Sequence, residues 1–334
     1  MDAGLDDAGT VDVDAGGPSL LDQMDAFLQA NEEDGVTRDP RALSYPTEEI
    51  RLTVAPQILG YAALWSARGD PRYAEEVESR ARFLVEHIDE AVSGGPFDGM
   101  LAYALLAAWE ITGDAETRAA GALLVDACLA LPDSDTILNG GLMCAMGLAK
   151  HHALFGDAPS FDRAARIVDS LASYRNPDGS FPHWCPGSTD VHYSAWMGME
   201  LALLADEIEH GSIDENLAAI SAFLEARIGP TGEPTYEEGA DRFWSLGSGC
   251  GTDYDTRGWV NELGYEALVL ERTGSSESDA VLAFLESQAD GGAVPDKWAF
   301  PHAADDPVHE WSVGDPSIVR TSVVFWSLAA AYGR

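Results

Sequence analysis

Basic residues are scarce in this chain of 334 residues: 19 Lys and Arg stand against 57 Asp and Glu, a formal net charge of −38 at pH 7. Two of the basic residues are lysines, Lys150 and Lys297. A field of that sign repels nucleic acids and anionic membrane surfaces, so we expect neither as a partner. Two origins fit such a surface: an exported protein, or a cytoplasmic protein of a halophile.

Long apolar runs and paired cysteines are also missing. No apolar run reaches the roughly 18 residues that suggest a membrane span, so we expect no membrane insertion. The four cysteines form no CxxC pair, which argues against a zinc ribbon, and we predict neither metal nor cofactor. Cys128 and Cys144 lie in apolar helical patterns and are expected to be buried thiols. Cys185 and Cys250 lie in Gly-rich loops, where an oxidising compartment would let them form a disulfide.

Residues 1–17 belong to a segment of different composition, "MDAGLDDAGTVDVDAGGPS", which holds mostly Asp, Gly and Ala. Such residues bury too little apolar surface to fold, so we predict a disordered tether followed by one domain over residues 18–334. The segment resembles the tethers that follow the lipidated cysteine of bacterial surface lipoproteins. We therefore expect an exported protein, extracellular, periplasmic or attached to the cell surface, whose signal peptide has been removed.

Two kinds of helical pattern alternate along the rest of the chain. The first kind is nearly continuous in small and apolar residues, at 49–68, 99–113, 139–156, 192–207, 256–274 and 317–333. The second kind is amphipathic, at 71–92, 114–131, 160–174, 213–227, 276–289 and, before all of these, 19–30. A helix that is apolar all round is buried, whereas a helix with one apolar stripe covers it.

Six buried helices, each covered by an amphipathic partner, predict an all-α fold: an (α/α)6 toroid of helical hairpins. The amphipathic helix at 19–30 has no buried partner before it in the chain. We expect it to pack beside the last buried helix, 317–333, and so to close the ring. Strand signals are few, and we predict only short pairs within the loops at 231–250 and 292–312.

Two segments resemble known toroid families. "NPDGSFPHWCPGSTDVHYSAWMGMELALL" (176–204) is similar to the repeats of terpenoid cyclases and protein prenyltransferases, yet the chain has neither the DxDD acid motif nor the matching zinc ligands of those enzymes. "YALLAAWEITGDAETRAAGALLVDACL" (103–129) resembles the helical hairpins of glycan-active toroids, the lyases and unsaturated-uronyl hydrolases. The second resemblance implies a carbohydrate-active enzyme with a polysaccharide substrate, and we expect a monomer.

Candidate site residues lie where the inner helices begin, since the loops before them should line the mouth of a central cavity. As catalytic residues we predict His192, Tyr193, Asp190 and Asp255. As substrate-binding residues we predict Asn139, Arg51, Arg257, Arg320, Trp184, Trp244 and Trp298. The three tryptophans fall in or beside loops and suit a groove in which sugar rings stack on aromatic faces.

Each group also has a structural interpretation. Asp190, directly before an apolar helix, is typical of an N-cap. The arginines lie in the first turns of apolar helices, where each needs a partner: either an acid such as Asp255, or the carboxylate of a substrate, which guanidinium binds bidentately. A histidine beside an apolar face is often structural.

The functional interpretation is β-elimination from a uronate. Arg and Asn139 would neutralise the substrate carboxylate and lower the pKa of the adjacent C–H. His192 or Tyr193 would remove that proton, and Tyr193 would protonate the leaving oxygen. Three alternatives stay open: a hydrolase with the carboxylate pair Asp190 and Asp255, a terpenoid-cyclase or prenyltransferase-like enzyme, and a toroid that binds without catalysis.

Overall fold

A computed structural model describes residues 19–33, 35–37, 50–136, 138–182, 189–235, 257–295, 297–299 and 316–333. Thirteen α-helices and six short strands are found among these residues, so the predicted all-α class is confirmed.

Six helices form a closed inner ring in which each packs against the next and the last packs against the first. They are α2 (Ala55–Arg68), α5 (Asp98–Thr112), α7 (Leu138–Phe155), α9 (Val191–Glu207), α11 (Val260–Thr273) and α13 (Ile318–Tyr332). Most of their residues are buried, because neighbours cover both sides of each inner helix and an outer helix covers its back. Within the described part of the chain, no helix combines the length and apolarity needed to cross a membrane.

The outer layer consists of the amphipathic helices. They are α1 (Leu20–Ala30), α3 (Pro71–Glu86), α6 (Ala115–Ala130), α8 (Ala158–Ser170), α10 (Gly211–Glu225) and α12 (Ser278–Gln288), with a short α4 (Ile88–Ala91) after α3. Helix α1 packs against α13, the last inner helix, so the N-terminal helix completes the sixth hairpin as predicted. The (α/α)6 toroid is thereby confirmed.

Gly-Asp pairs join three inner helices to the outer helices that follow, at 69–70, 113–114 and 156–157. Each glycine adopts a left-handed φ between 66° and 71°, which ends the inner helix without a Cβ clash. Each aspartate then accepts a backbone N–H two or three residues later at 2.7–3.0 Å and begins the outer helix. Two residues therefore reverse the chain, and this end of the ring carries only short connections.

The strands lie at the other end of the ring, in the longer connections. β1 (Glu32–Glu33) pairs with β2 (Val36–Thr37), β3 (Arg257–Trp259) with β5 (Lys297–Ala299), and β4 (Val294–Pro295) with β6 (Pro316–Ser317), all antiparallel. The sequence had predicted strands within 292–312, where β4 and β5 lie.

Two inner helices begin differently from the prediction. The helix predicted over 256–274 starts at Val260, because residues 257–259 pair with β5 instead. Gly258 has a low helix propensity, so an available strand partner decides its conformation. The helix predicted over 49–68 begins with one π-helical stretch, Ile50–Val54, before α2.

Candidate active site

The N-terminal ends of α7 and α9 are joined by two hydrogen bonds between Tyr193 and Asn139. The Tyr193 hydroxyl donates to Asn139 Oδ1 at 2.6 Å and accepts the backbone N–H of Asn139 at 3.2 Å. Asn139 Oδ1 also accepts the N–H of Gly140 at 2.7 Å. Because two donors occupy this oxygen, the amide orientation is defined, and Asn139 Nδ2 has no hydrogen-bond partner in the described part of the chain. Asn139 thus offers a donor to a ligand.

Leu138, directly before Asn139, has a left-handed backbone with φ 52°, the only such non-glycine among the described residues. A leucine in this region is strained, and such strain persists where surrounding contacts enforce it. Leu138 belongs to the hydrophobic core, which anchors its side chain. The first turn of α7 is therefore held in an unusual conformation at the point where Asn139 meets Tyr193.

Tyr193 is buried, and its environment keeps the phenol protonated. Burial raises the pKa of Tyr193 well above its usual range; the charges of Glu200 and Asp190 raise it further, against a lowering contribution from Asn139. The side chain of Asp190 accepts the backbone N–H of Tyr193 at 2.8 Å and caps α9. In this arrangement Tyr193 is a proton donor, and Asp190 has at least a structural role.

His192 lies beside a carboxylate that the sequence analysis did not single out. Its Nδ1 is 3.6 Å from Oε2 of Glu262 on α11, whose side chain has no exposed surface, whereas the His192 side chain is 15% exposed. The imidazole lies beside the stacked rings of Trp196 and Tyr265, whose centroids are 6.2 and 5.9 Å from its own. This separation exceeds hydrogen-bond distance, so the contact is electrostatic: a negative charge on Glu262 would favour protonation of the partly accessible imidazole.

Two further glutamates, Glu200 on α9 and Glu266 on α11, are fully buried, and neither carboxylate makes a hydrogen bond within the described residues. Burial raises the pKa of each carboxyl well above its ordinary value, and the charge of Glu262 adds to the rise at Glu266. The sequence signal for the α11 pair is "NELGYEAL", in which two glutamates four residues apart share one helical face.

The two predicted arginines whose side chains are described lie on different parts of the rim. The guanidinium carbon of Arg51 is 5.5 Å from the centroid of Phe97, which precedes α5. Arg320, in the first turn of α13, lies close enough to Tyr265 for its charge to lower the pKa of that phenol against the larger rise caused by burial. Tyr265 in turn stacks on Trp196 at 6.1 Å.

The structure therefore brings Asn139, His192 and Tyr193 together at the N-terminal ends of α7 and α9. Arg320 lies in the first turn of α13. Arg257 lies in β3 and Trp298 in β5, where Trp298 faces Gly258, but their side chains are outside the described part. Five further residues named in the sequence analysis lie entirely outside the described part: Asp255, Trp184, Trp244, Cys185 and Cys250. Cys128 and Cys144 are buried and unbridged, as predicted.

No protein-family model and no curated protein matches the chain. Solved structures do match. A polysaccharide lyase superposes with a TM-score of 0.67 at 11% identity, over 93% of this chain and 95% of its own. A glycosyl hydrolase of family 88 from Bacteroides vulgatus gives 0.65 at 8% identity, over 93% and 96%. An unsaturated glucuronyl hydrolase specific for heparin gives 0.63 at 14% identity, over 93% and 95%.

These similarities extend over nearly the whole of each chain, so the predicted resemblance to glycan-active toroids is confirmed for the fold. At identities between 8% and 14% they identify the architecture and not the reaction.

Proposed function

We propose that this protein is a glycan-active enzyme, a polysaccharide lyase that cleaves a uronate-containing glycan by β-elimination at the N-terminal ends of the inner helices. The observation that carries the proposal is the placement of a base with a carboxylate partner, His192 and Glu262, next to a protonated acid bonded to a donor amide, Tyr193 and Asn139. The similarity to a polysaccharide lyase and to unsaturated glucuronyl hydrolases supports the same class of substrate.

The reaction requires removal of the proton on the carbon next to the uronate carboxylate and loss of the glycosidic oxygen from the neighbouring carbon. Asn139 Nδ2 donates to the carboxylate and, with a rim arginine such as Arg320, stabilises the negative charge that develops there. His192 accepts the proton, and the buried Glu262 charge stabilises the imidazolium that forms. The electron pair of the broken C–H bond forms the C=C bond as the C–O bond breaks.

Tyr193 supplies the proton that the leaving oxygen needs. Of the two candidate bases in the sequence, His192 fits better, because burial raises the pKa of Tyr193 and keeps its hydroxyl protonated at neutral pH. The hydroxyl proton points to Asn139 Oδ1 in the ligand-free protein. When the Tyr193 hydroxyl gives its proton to the substrate, the leaving oxygen replaces Asn139 Oδ1 as the acceptor. Asn139 Oδ1 keeps its hydrogen bond from the N–H of Gly140.

The aromatic rings at the rim suit a sugar chain. Trp196 is partly exposed and stacks on Tyr265, and His192 lies against both rings. Carbohydrate rings pack their C–H faces on such surfaces, while an arginine binds the carboxylate. In a chain of net charge −38, arginines at the rim also offset the repulsion of a polyanionic substrate.

The test is a screen of uronate-containing polysaccharides at low and high salt, read by the ultraviolet absorbance of the unsaturated product. We expect activity on at least one of them, and higher activity when salt screens the acidic surface. New reducing ends without unsaturation would instead indicate the hydrolase alternative with Asp190 and Asp255. If the protein binds a glycan but turns over none of them, the alternative of a toroid that binds without catalysis is favoured. Turnover of an isoprenoid substrate would favour the cyclase-like alternative.

Export and attachment to the cell surface belong to the same proposal, since a polysaccharide is too large to enter a cell intact. The Asp-, Ala- and Gly-rich segment 1–17 and the acidic composition support it. The test is cell fractionation of the native host. Detection of the protein only in the soluble cytoplasm would contradict export.

A further inference from the structure

A cavity of about 860 Å³ lies at the end of the toroid opposite the N-terminal ends of the inner helices. All six inner helices line it, mostly with residues from their C-terminal halves, such as Trp65, Lys150, Glu207, Arg272 and Trp326. Tyr103, just before the middle of α5, also lines it. The Gly-Asp connections at this end are only two residues long, so they leave the cavity accessible. Its volume falls in the range of about 300–1,000 Å³ that is typical of small-molecule sites.

The polar wall of this cavity is built from ion pairs. Lys150 Nζ lies 2.7 Å from Glu110 and 3.2 Å from Glu207, and the hydroxyl of Tyr103 donates to Glu207 at 3.1 Å. The side chains of Lys150 and Glu207 are only 11% and 10% exposed, so this pair is well ordered by its surroundings. Burial disfavours the lysine charge, but the two glutamates outweigh it and raise the pKa of Lys150, which remains charged.

A second pair completes the wall. Arg272 binds both oxygens of Asp206, at 2.8 and 2.7 Å. Three carboxylates and two cations thus line the cavity, leaving one net negative charge. The carbonyl ends of six helices also point towards this side, and each carries a partial negative charge. An anionic ligand such as a uronate is disfavoured here. Each carboxylate already contacts a cation, since Glu110 and Glu207 share Lys150 and Asp206 binds Arg272. The wall therefore offers both donors and acceptors to a neutral ligand.

The remaining surface is apolar, with small aliphatic side chains such as Ala62, Ala63 and Ala329 and two tryptophans. Trp65, in the last turn of α2, is half-buried and exposes part of its indole, whereas Trp326 on α13 is buried in the wall. Neutral sugars combine an apolar C–H face, which stacks on indole, with hydroxyls that donate and accept at once. In the wall, the ammonium and guanidinium groups can donate hydrogen bonds to such hydroxyls, and the carboxylates can accept hydrogen bonds from them. The ligand itself therefore needs no charge.

We propose that this cavity is a second carbohydrate site, which binds a neutral mono- or disaccharide unit, remote from the uronate site at the N-terminal ends of the inner helices. The proposal does not depend on the reaction assigned to that other site. Such a site would let the protein bind a neutral part of a glycan at one end of the ring, whether or not a reaction takes place at the other end.

The test is calorimetric titration of the His192→Ala protein, whose proposed catalytic site is impaired, with cellobiose, maltose, glucosamine and a glucuronate disaccharide as probes. We expect a neutral disaccharide to bind in this cavity. The glucuronate disaccharide should bind only at the catalytic end, so its affinity should not respond to Ala63→Trp, a variant that fills this cavity. Binding of glucosamine or of the glucuronate probe that is tighter than that of the neutral disaccharide, and that Ala63→Trp abolishes, would overturn the assignment of a neutral ligand.

Two variants locate the site. Trp65→Ala should weaken neutral disaccharide binding by about tenfold or more, because the stacking surface is lost. Trp109→Ala is the matched control: Trp109 is half-buried in the last turn of α5, with its carbonyl bonded to Gly113 as that of Trp65 is to Gly69, but it does not line the cavity. Ala63→Trp should fill the cavity and abolish binding.

Melting temperatures of all three variants establish that they are folded. Unchanged affinity in both Trp65→Ala and Ala63→Trp would overturn the proposal. So would equal weakening by Trp65→Ala and Trp109→Ala. Failure of the lyase assay would not affect either outcome, because only binding is measured.

Discussion

The carboxylate of Glu262, with no exposed surface, lies 3.6 Å from Nδ1 of His192 across the gap between two inner helices. This places a buried carboxyl group behind the imidazole. In the proposed mechanism its negative charge has little effect while His192 is neutral and stabilises the ring once His192 carries a proton.

Glu262→Gln should therefore reduce kcat more than it changes KM. Loss of a buried charge at this distance is worth roughly 1–3 kcal/mol of transition-state stabilisation, a fall of about 10- to 100-fold in kcat. Glu262→Asp, which keeps the charge, should retain more activity than Glu262→Gln. The measurement is steady-state formation of unsaturated product; equal activity of Glu262→Gln and the parent would show that Glu262 has no such role.

Tyr193→Phe should abolish formation of unsaturated product, because a proton donor is lost, with an expected fall of about 10²–10⁴-fold. Substrate binding should be retained. Stability should fall by about 1–3 kcal/mol, because the backbone N–H of Asn139 loses its acceptor, while Asn139 Oδ1 keeps the N–H of Gly140. Tyr61→Phe is the control, since the buried hydroxyl of Tyr61 bonds Asp25 on α1 and belongs to neither proposed site. If both variants lost only stability and neither lost activity, Tyr193 would be structural.

Glu200→Gln should stabilise the protein at neutral and alkaline pH. Burial raises the folded-state pKa of Glu200 well above the ordinary value of 4.5, so the folded state keeps a proton that the unfolded state releases. The stability that this proton provides is present below pH 4.5 and is lost as pH rises towards the raised pKa, at up to about 1.4 kcal/mol per pH unit. Urea unfolding from pH 4 to pH 9 measures it.

The exposed Glu225 on α10 provides the control for this series. Glu225→Gln should leave the pH dependence of stability unchanged. A Glu200→Gln curve parallel to that of the parent over the whole range would show that Glu200 is ionised in the folded protein, and would contradict the expectation.

Removing residues 1–31 should destabilise the protein by several kcal/mol, whereas removing residues 1–16 should leave its melting temperature unchanged. Helix α1 buries Leu20, Leu21, Met24 and Leu28, each worth about 1.5–3 kcal/mol, and its Asp25 accepts a hydrogen bond from Tyr61 on α2 at 3.1 Å. Thermal unfolding of the two truncations decides the matter. Equal stability would show that α1 does not hold the ring closed.

Much of the fold was predictable because its signals are local. A glycine at the end of an apolar helix and an aspartate after it determine each tight reversal, as at 69–70 and 113–114. The exceptions depend on distant partners. Residues 257–259 form a strand only because residues 297–299 lie beside them, some forty positions later in the chain.

The candidate site was predictable only in part. His192, Tyr193 and Asn139 were found because each lies at the start of an apolar helix, where a toroid opens. Glu262 was missed, because a glutamate near the start of a helix has the same appearance in sequence whether it caps the helix or lies buried beside a histidine. Its burial follows from the packing of α9 against α11.

The sequence by itself determined the six helical hairpins, their alternation between buried and amphipathic faces, and the closure of the ring by α1. These follow from residue periodicity and turn chemistry, which act over a few residues. Only the tertiary structure decided which side chains meet: Glu262 with His192, Tyr193 with Asn139, and Lys150 with Glu207 at the far end. Those contacts join residues 54 to 70 positions apart, and their geometry depends on how neighbouring helices pack, which no local pattern encodes.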